Sequence, residues 1–167
     1  MSASPRIAAR TELLIRCTPA QVCRGFVEPD MLTKFWLSAA SGPLELGATV
    51  HWSFMVEGAE VDTRTTALDV AKRIAWEWPD GTSAEVRIEP FRDDPGASHV
   101  TIEHVGFDGD LDDLIAAAVD STPGFTLVLS NLKLLLETGT AGNLVRPSRG
   151  QLRADSASNA ATRSVSS

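Results

Sequence analysis

Alternation of apolar and polar positions near the start of the chain predicts a first strand. Within residues 6–17, Leu13 and Ile15 fall on one side with Ile7, while arginine and glutamate take the other side. A period of two is expected of a strand that buries one face. The same period recurs from Leu44 to Phe107, where turn signals such as Pro79-Asp80-Gly81 separate the segments. This long region predicts an antiparallel meander.

Two short helices are predicted between the first strand and the meander. Thr18 and Pro19 indicate a helix start. A threonine hydroxyl can accept a hydrogen bond from a backbone N–H that has no partner in the first turn, and proline has no N–H that would need one. A second helix is predicted from Glu28 or Pro29 to Trp36, since its apolar residues recur at helical spacing. It should end before the turn at residues 41–43.

The longest helical pattern lies near the end of the chain. Ser121 or Thr122 is predicted to cap it, Pro123 to occupy its first turn, and Gly139 to end it. Residues 110–119 predict a separate, weaker helix with acidic residues in its first turn. A helix as apolar as the long one should lie across the face of the sheet that carries the tryptophans.

Chain length and composition predict one globular domain. The chain has 167 residues, of which 43% are hydrophobic and 22% charged, a composition too apolar for a disordered chain. We expect a single domain over residues 6–141, a flexible start at 1–5 and a mostly disordered tail at 142–167, where serine, alanine and arginine replace the periodic apolar pattern. No membrane-spanning run or signal peptide is found, so a cytoplasmic location is expected.

Charge and cysteine content exclude several classes of partner and site. A net charge of −7 argues against nucleic acid and anionic membranes as partners, because both require a cationic surface. Cys17 and Cys23 have no further ligands at metal-binding spacing, so neither a zinc site nor a disulfide framework is expected. The acidic stretch at residues 108–113 lacks the glycine and glutamate of a calcium loop and predicts a solvated helix start. No cofactor or metal is predicted.

Two segments resemble a known family. The segment IRCTPAQVCRGFVEPDMLTKFWL is similar to the opening of the SRPBCC (START/Bet v 1-like) superfamily, in the branch named for the C-terminal domain of the activator of Hsp90 ATPase. The segment PGFTLVLSNLKLLLETG resembles the closing helix of that branch, with Phe125 in place of a usual tryptophan. The resemblance covers roughly residues 6–140.

The resemblance implies an α+β helix-grip fold. In that fold a curved antiparallel sheet wraps around the long C-terminal helix, two short helices follow strand 1, and a cavity or tunnel lies between helix and sheet. The family therefore implies a hydrophobic or aromatic small-molecule ligand bound in that cavity. The chain contains more arginine than lysine, which also points to a bacterial source.

Aromatic residues are the main candidates for contact with such a ligand. Ligand pockets are largely hydrophobic, although plain core packing would use the same side chains. His104 shares a strand face with Val100 and Ile102 and should point inward, where an imidazole could act as a base, an acid or a ligand anchor, or simply be a core histidine. The predicted contacts are Trp36, Trp52, Phe54, Trp76, Trp78, His104, Phe125, Leu129 and Leu132.

Three functions remain open at this stage. The first is binding of an apolar small molecule. The second is a cyclase- or hydrolase-like enzyme that uses the same cavity with His104 as its weak catalytic candidate, although no common catalytic signature is present. The third is an Hsp90 co-chaperone, which is not expected because the chain leaves no room for the separate N-terminal domain of that activator. The oligomeric state is open, a homodimer included.

Overall fold

The computed structural model describes residues 6–145, which form seven strands and three helices. The strands are β1 (Ala9–Ile15), β2 (Leu37–Ala40), β3 (Thr49–Phe54), β4 (Glu60–Asp69), β5 (Arg73–Glu77), β6 (Ser83–Phe91) and β7 (Asp94–Val105). The helices are α1 (Pro19–Val27), α2 (Pro29–Phe35) and α3 (Leu111–Thr138). The predicted α+β architecture is confirmed.

The strands form one curled antiparallel sheet with the order β1-β7-β6-β5-β4-β3-β2. From β3 to β7, strands adjacent in sequence pair with each other, as expected of a meander. β1 closes the far edge by pairing with β7, with Ala9 opposite His104. β2 was not predicted, because its four residues follow α2 directly with no turn signal between them. Alternation with Trp52 and Phe54 would extend the strand to Val56, but Val56 lies in the turn after β3.

The start of α1 follows the capping signals in the sequence. The Thr18 hydroxyl accepts from the Gln21 amide at 3.3 Å, and the Gln21 side chain accepts from the Thr18 amide at 3.0 Å. This reciprocal capping box satisfies two amides that have no partner within the helix. α2 also begins with a proline, Pro29, as predicted.

The two predicted C-terminal helices are one continuous helix, so the proposed start at Ser121 is wrong. Asp110 caps α3 by accepting from the Asp113 amide at 3.0 Å, and Gly139 ends the helix in the left-handed conformation, with φ of 79°. Pro123 lies inside the helix. Because proline has no backbone N–H, the Val119 carbonyl has no hydrogen-bond donor within the helix. Val119 is exposed, so water can reach this turn. Residues 108–113 contain the start of α3, as predicted.

The core lies between α3 and the concave face of the sheet. Trp52 and Trp76 are both 0% exposed and contact each other edge to face, with ring centroids 5.4 Å apart. Leu129 and Leu132 of α3 complete this layer with 1% and 0% exposure. Cys17 is free and buried, as is Cys23, and burial raises the pKa of the Cys17 thiol, with the nearby Glu137 carboxylate adding to the effect.

The convex face of the sheet is polar and carries ion pairs. Examples are Arg10 with Glu103 at 3.1 Å and Arg64 with Glu77 at 2.8 Å. These side chains are exposed, so each pair contributes at most about 1 kcal/mol. The face is solvated, and its charges do not indicate a binding site.

The last described residues pack back onto α3. Asn131 is 1% exposed, donates to the Phe35 carbonyl at 2.7 Å and accepts from the Gly142 amide at 2.6 Å. The flexibility predicted for residues 1–5 lies outside the described residues, as does the part of the predicted 142–167 tail that follows residue 145. Over residues 6–145, no helix combines the length and apolar character needed to span a membrane.

Candidate ligand-binding site

A solvent-open pocket of about 290 Å³ lies where the middle of α3 faces the ends of β3, β5 and β7. Aromatic rings form half of its lining, and the other residues come from more than two turns of α3 and from Val145. The lining residues are Trp36, Phe54, Trp78, His104, Asp120, Ser121, Gly124, Phe125, Val128 and Val145.

Trp78 and Phe125 form two facing walls of this pocket. Their rings are within 23° of parallel, and their centroids lie 6.4 Å apart. The Trp78 indole is fixed because its Nε1 donates to the Thr63 hydroxyl at 3.0 Å. Phe125 lies on α3 and is 9% exposed. A rigid aromatic wall of this kind favours flat apolar groups.

His104 lies beside both of these rings. Its ring centroid is 5.4 Å from that of Trp78 and 5.4 Å from that of Phe125. Its Nδ1 is 2.7 Å from the Ser121 hydroxyl of α3. Its Nε2 is buried and has no hydrogen-bond partner among the described residues. A buried polar atom without a partner is uncommon and costs stability, so this nitrogen is the distinctive chemical feature of the pocket.

The electrostatic environment keeps the imidazole neutral at pH 7. Burial lowers the pKa of His104 below its usual value, and the charge of Asp80 offsets only part of that effect. For Asp80, burial would raise the pKa, but hydrogen bonds from the Thr82 hydroxyl and amide, at 2.7 and 2.9 Å, lower it overall. Asp80 is therefore a carboxylate near neutral pH and His104 an uncharged hydrogen-bonding group.

The nine predicted contact residues divide into two sets. Five of them line the pocket: Trp36, Phe54, Trp78, His104 and Phe125. The other four lie in the core outside the lining: Trp52, Trp76, Leu129 and Leu132. Alternation along a strand brings every inward side chain to one face, but it does not distinguish the centre of that face from its open end.

Apart from Phe125, sequence reasoning missed the residues of α3 that line the wall. Gly124 lies three residues after Ser121 and four before Val128, and all three line the pocket. The signal was present in the sequence, because residues three and four apart share a helix face. The prediction that a helix begins at Ser121 concealed it by assigning that residue to a cap.

The contact between Ser121 and His104 differs from that of a nucleophile and its base. A catalytic pair needs a third group that orients the base, whereas the second nitrogen of His104 has no partner in the described residues. The Ser121 amide lies within α3 and does not form an oxyanion hole. Residues 6–145 contain no cluster of three or more side chains suited to hold a metal ion. The arrangement is better suited to holding a ligand than to acyl transfer.

The lowered pKa of His104 predicts a pH dependence of stability. The unfolded chain binds more protons than the folded chain once the pH falls below the ordinary histidine value of about 6.5. The free energy of unfolding should therefore fall between pH 7 and pH 5, and His104→Phe should reduce that slope. Urea unfolding at several pH values measures the slope of this free energy with pH.

The contribution of His51 must be separated from that of His104 in this measurement. Hydrogen bonding to Asp62, followed by Glu60, raises the pKa of that exposed imidazole, so its contribution has the opposite sign and is lost as the pH rises. The comparison should be made in a His51→Gln background, above the range in which carboxylates titrate. An unchanged slope in His104→Phe would contradict the burial argument.

The fold is shared with solved structures, although neither a protein-family model nor a curated protein matches the chain. The protein SSP2350 from Staphylococcus saprophyticus is 23% identical, with a TM-score of 0.70 over 81% of this chain and 95% of that one. The Aha1 dimer from Colwellia psychrerythraea is 21% identical, with a TM-score of 0.65 over 80% of this chain and 98% of that one. This chain has the helix-grip fold.

A third structure, DynU16 from the dynemicin biosynthetic locus, contains this fold as part of a longer chain. It is 15% identical, with a TM-score of 0.69 over 82% of this chain but 49% of its own length. These three likenesses, all below 25% identity, confirm the predicted helix-grip fold. Fold kinship does not name a ligand or a reaction, which must be argued from the pocket.

Proposed function

We propose that the helix-grip domain binds a small, uncharged and largely apolar molecule in the pocket between α3 and the sheet. The observation that carries the proposal is the placement of His104, a neutral polar group with one unpartnered nitrogen, in contact with the rings of both Trp78 and Phe125. Apolar walls with a few placed polar groups are the usual composition of a small-molecule site.

The size of the pocket favours a compact ligand. Its volume of about 290 Å³ lies at the lower end of ligand pockets, which span roughly 300–1,000 Å³. The centre of the sheet face is filled by Trp52, Trp76 and the leucines of α3, so the site is a pocket at one end of the helix and sheet interface. A bicyclic aromatic molecule matches this space better than a long acyl chain.

Charge in and around the pocket favours an uncharged ligand. Asp120 is part of the lining, the Asp80 carboxylate lies close enough to affect His104, and the net charge of the chain is −7. An anionic ligand would meet repulsion from these groups in a setting of low dielectric. A carboxylate analogue should therefore bind more weakly than its neutral counterpart.

Filling the pocket from α3 tests the proposal. Gly124 lines the pocket, and a side chain added there meets nothing within 4 Å. Gly124→Leu should reduce affinity for naphthalene by more than tenfold, because the new side chain occupies the ligand's space. Stability should be kept or raised, since leucine is favoured over glycine in a helix by about 1 kcal/mol. Tryptophan fluorescence titration and thermal unfolding give the two values.

Ala116→Leu is the matched control for this substitution. Ala116 is an exposed position of α3 outside the pocket lining, so the same side chain added there should leave naphthalene affinity unchanged. Equal affinity of the Gly124→Leu variant and the parent chain, or no binding by either, would refute the proposed pocket function.

Other functions predicted from the sequence have less support. An enzyme that uses the same pocket would draw on the 2.7 Å contact between His104 and Ser121, and loss of turnover in Ser121→Ala would be its sign once a substrate is known. An Hsp90 partner is tested by stimulation of Hsp90 ATPase activity. A homodimer, suggested by the dimeric Colwellia protein, is tested by sedimentation at several concentrations.

A further inference from the structure

Hydrogen bonds along α3 assign the proton on the His104 imidazole. Ser121 differs from its neighbours, because its hydroxyl has His104 Nδ1 as its one hydrogen-bond partner among the described residues. Four other hydroxyls of α3 donate to the carbonyl four residues earlier in the helix, namely those of Thr122, Thr126, Ser130 and Thr138.

Two arrangements of the shared proton are conceivable. If Nδ1 carried the proton and donated to Ser121, the hydroxyl proton of Ser121 would have no acceptor in the described structure. If Ser121 donates to an unprotonated Nδ1, both groups are satisfied, and the neutral imidazole carries its proton on Nε2. The contacts favour the second arrangement. The unpartnered nitrogen of His104 is therefore a hydrogen-bond donor.

An aromatic ring covers His104 from outside the pocket. The ring centroid of Phe107 is 4.7 Å from that of His104, at 76°, and Phe107 does not belong to the pocket lining. Phe107 lies in the segment between β7 and α3, flanked by Gly106 and Gly109, whose φ values are 90° and 120°. A ring face is a weak acceptor for an N–H group, so the Phe107 ring beside this imidazole does not replace a full hydrogen-bond acceptor.

We infer that the ligand presents an uncharged hydrogen-bond acceptor, such as a ketone carbonyl, to Nε2–H of His104 and displaces the Phe107 ring that packs against this imidazole. The inference rests on the proposed function and adds the polar half of the ligand to it. A carbonyl oxygen accepts a hydrogen bond from the buried Nε2–H group. A ligand hydroxyl that acts only as a donor leaves that N–H without a partner. The ligand class is thus a compact aromatic or conjugated carbonyl compound without a negative charge.

A pair of probes with nearly the same shape tests the inference. 2-Acetylnaphthalene and 2-ethylnaphthalene differ mainly by the carbonyl oxygen, and isothermal titration on the full chain compares their affinities. The ketone should bind about fivefold more tightly, because a buried hydrogen bond contributes about 1 kcal/mol. In His104→Phe the preference should vanish while the hydrocarbon still binds. Phe107→Leu should strengthen binding of the ketone more than that of the hydrocarbon.

Further variants and probes separate the alternatives. Ser121→Ala should reduce the preference for the ketone, since Nδ1 then loses the partner that fixes the proton on Nε2. Leu127→Ala, an exposed α3 position outside the lining, should leave it unchanged. Equal affinity of the two probes for the parent chain would overturn the inference and leave the proposed pocket intact. Tighter binding of 2-naphthol than of the ketone would assign the opposite tautomer and also overturn it. Binding of no probe would refute both proposals.

Discussion

Replacing Trp76 by alanine is expected to lower the free energy of unfolding by about 3–5 kcal/mol, the cost typical of removing a large buried aromatic side chain. Trp76 is 0% exposed and contacts Trp36, Trp52 and Trp78 through its ring, with centroids 5.4–6.0 Å apart. Its loss removes apolar burial and leaves a cavity that neighbouring rings cannot fill. The loss is a large part of the stability of an ordinary domain, which is about 5–15 kcal/mol.

Trp78→Ala is the matched comparison for this prediction. Trp78 lies at the mouth of the pocket and is only partly buried, so its removal should cost less stability than that of Trp76. It should cost more in naphthalene affinity, because one of the two facing walls is lost. Chemical denaturation and fluorescence titration, the latter in variants that keep the other tryptophans, measure both effects. If Trp78→Ala proved the more destabilising variant, the division between core and pocket would be wrong.

Replacing Asn131 by alanine is expected to lower the free energy of unfolding by about 1–3 kcal/mol, since it leaves the buried Phe35 carbonyl at the end of α2 unpaired. The substitution also removes the partner of the Gly142 amide after α3. Asn131 is 1% exposed and Phe35 is buried, so water does not readily replace the partner of the Phe35 carbonyl, whereas Gly142 is exposed and its amide can bind water.

The control for Asn131 is the adjacent residue of the same helix. Ser130 is half-buried and its hydroxyl donates only to the Thr126 carbonyl, so Ser130→Ala should change stability by less than about 0.5 kcal/mol. Equilibrium urea unfolding measures both variants. A change below about 1 kcal/mol in Asn131→Ala would show that the Phe35 carbonyl finds another partner.

Much of the fold was predictable because its signals are local. Thr18, Pro19 and Pro29 correctly predict the starts of α1 and α2, since capping depends on residues within one turn. The strand faces of Ile74, Trp76 and Val86 were predicted correctly from alternation and are buried. β2 was missed, because a four-residue strand is stabilised by its partner β3 and carries little pattern of its own.

The site was less predictable, because it depends on where two distant elements meet. His104 was predicted to point inward, yet its contact with Ser121 joins residues 17 positions apart in sequence. Ser121 was assigned to a helix cap, since Pro123 next to it is a common start signal. In the structure the cap at Asp110 and the packing of the helix on the sheet outweigh the loss of one backbone bond at Pro123.

Apart from β2 and the unbroken length of α3, the sequence by itself determined the order of the elements, their faces and the aromatic character of the interior, because periodicity and capping are properties of neighbouring residues. Only the tertiary structure decided which aromatic rings fill the core and which border open space. It also decided that His104 keeps one nitrogen unpartnered beside Ser121. The physical reason is that burial and hydrogen-bond satisfaction depend on the distance between packed elements, and that distance is set by the whole sheet closing on α3.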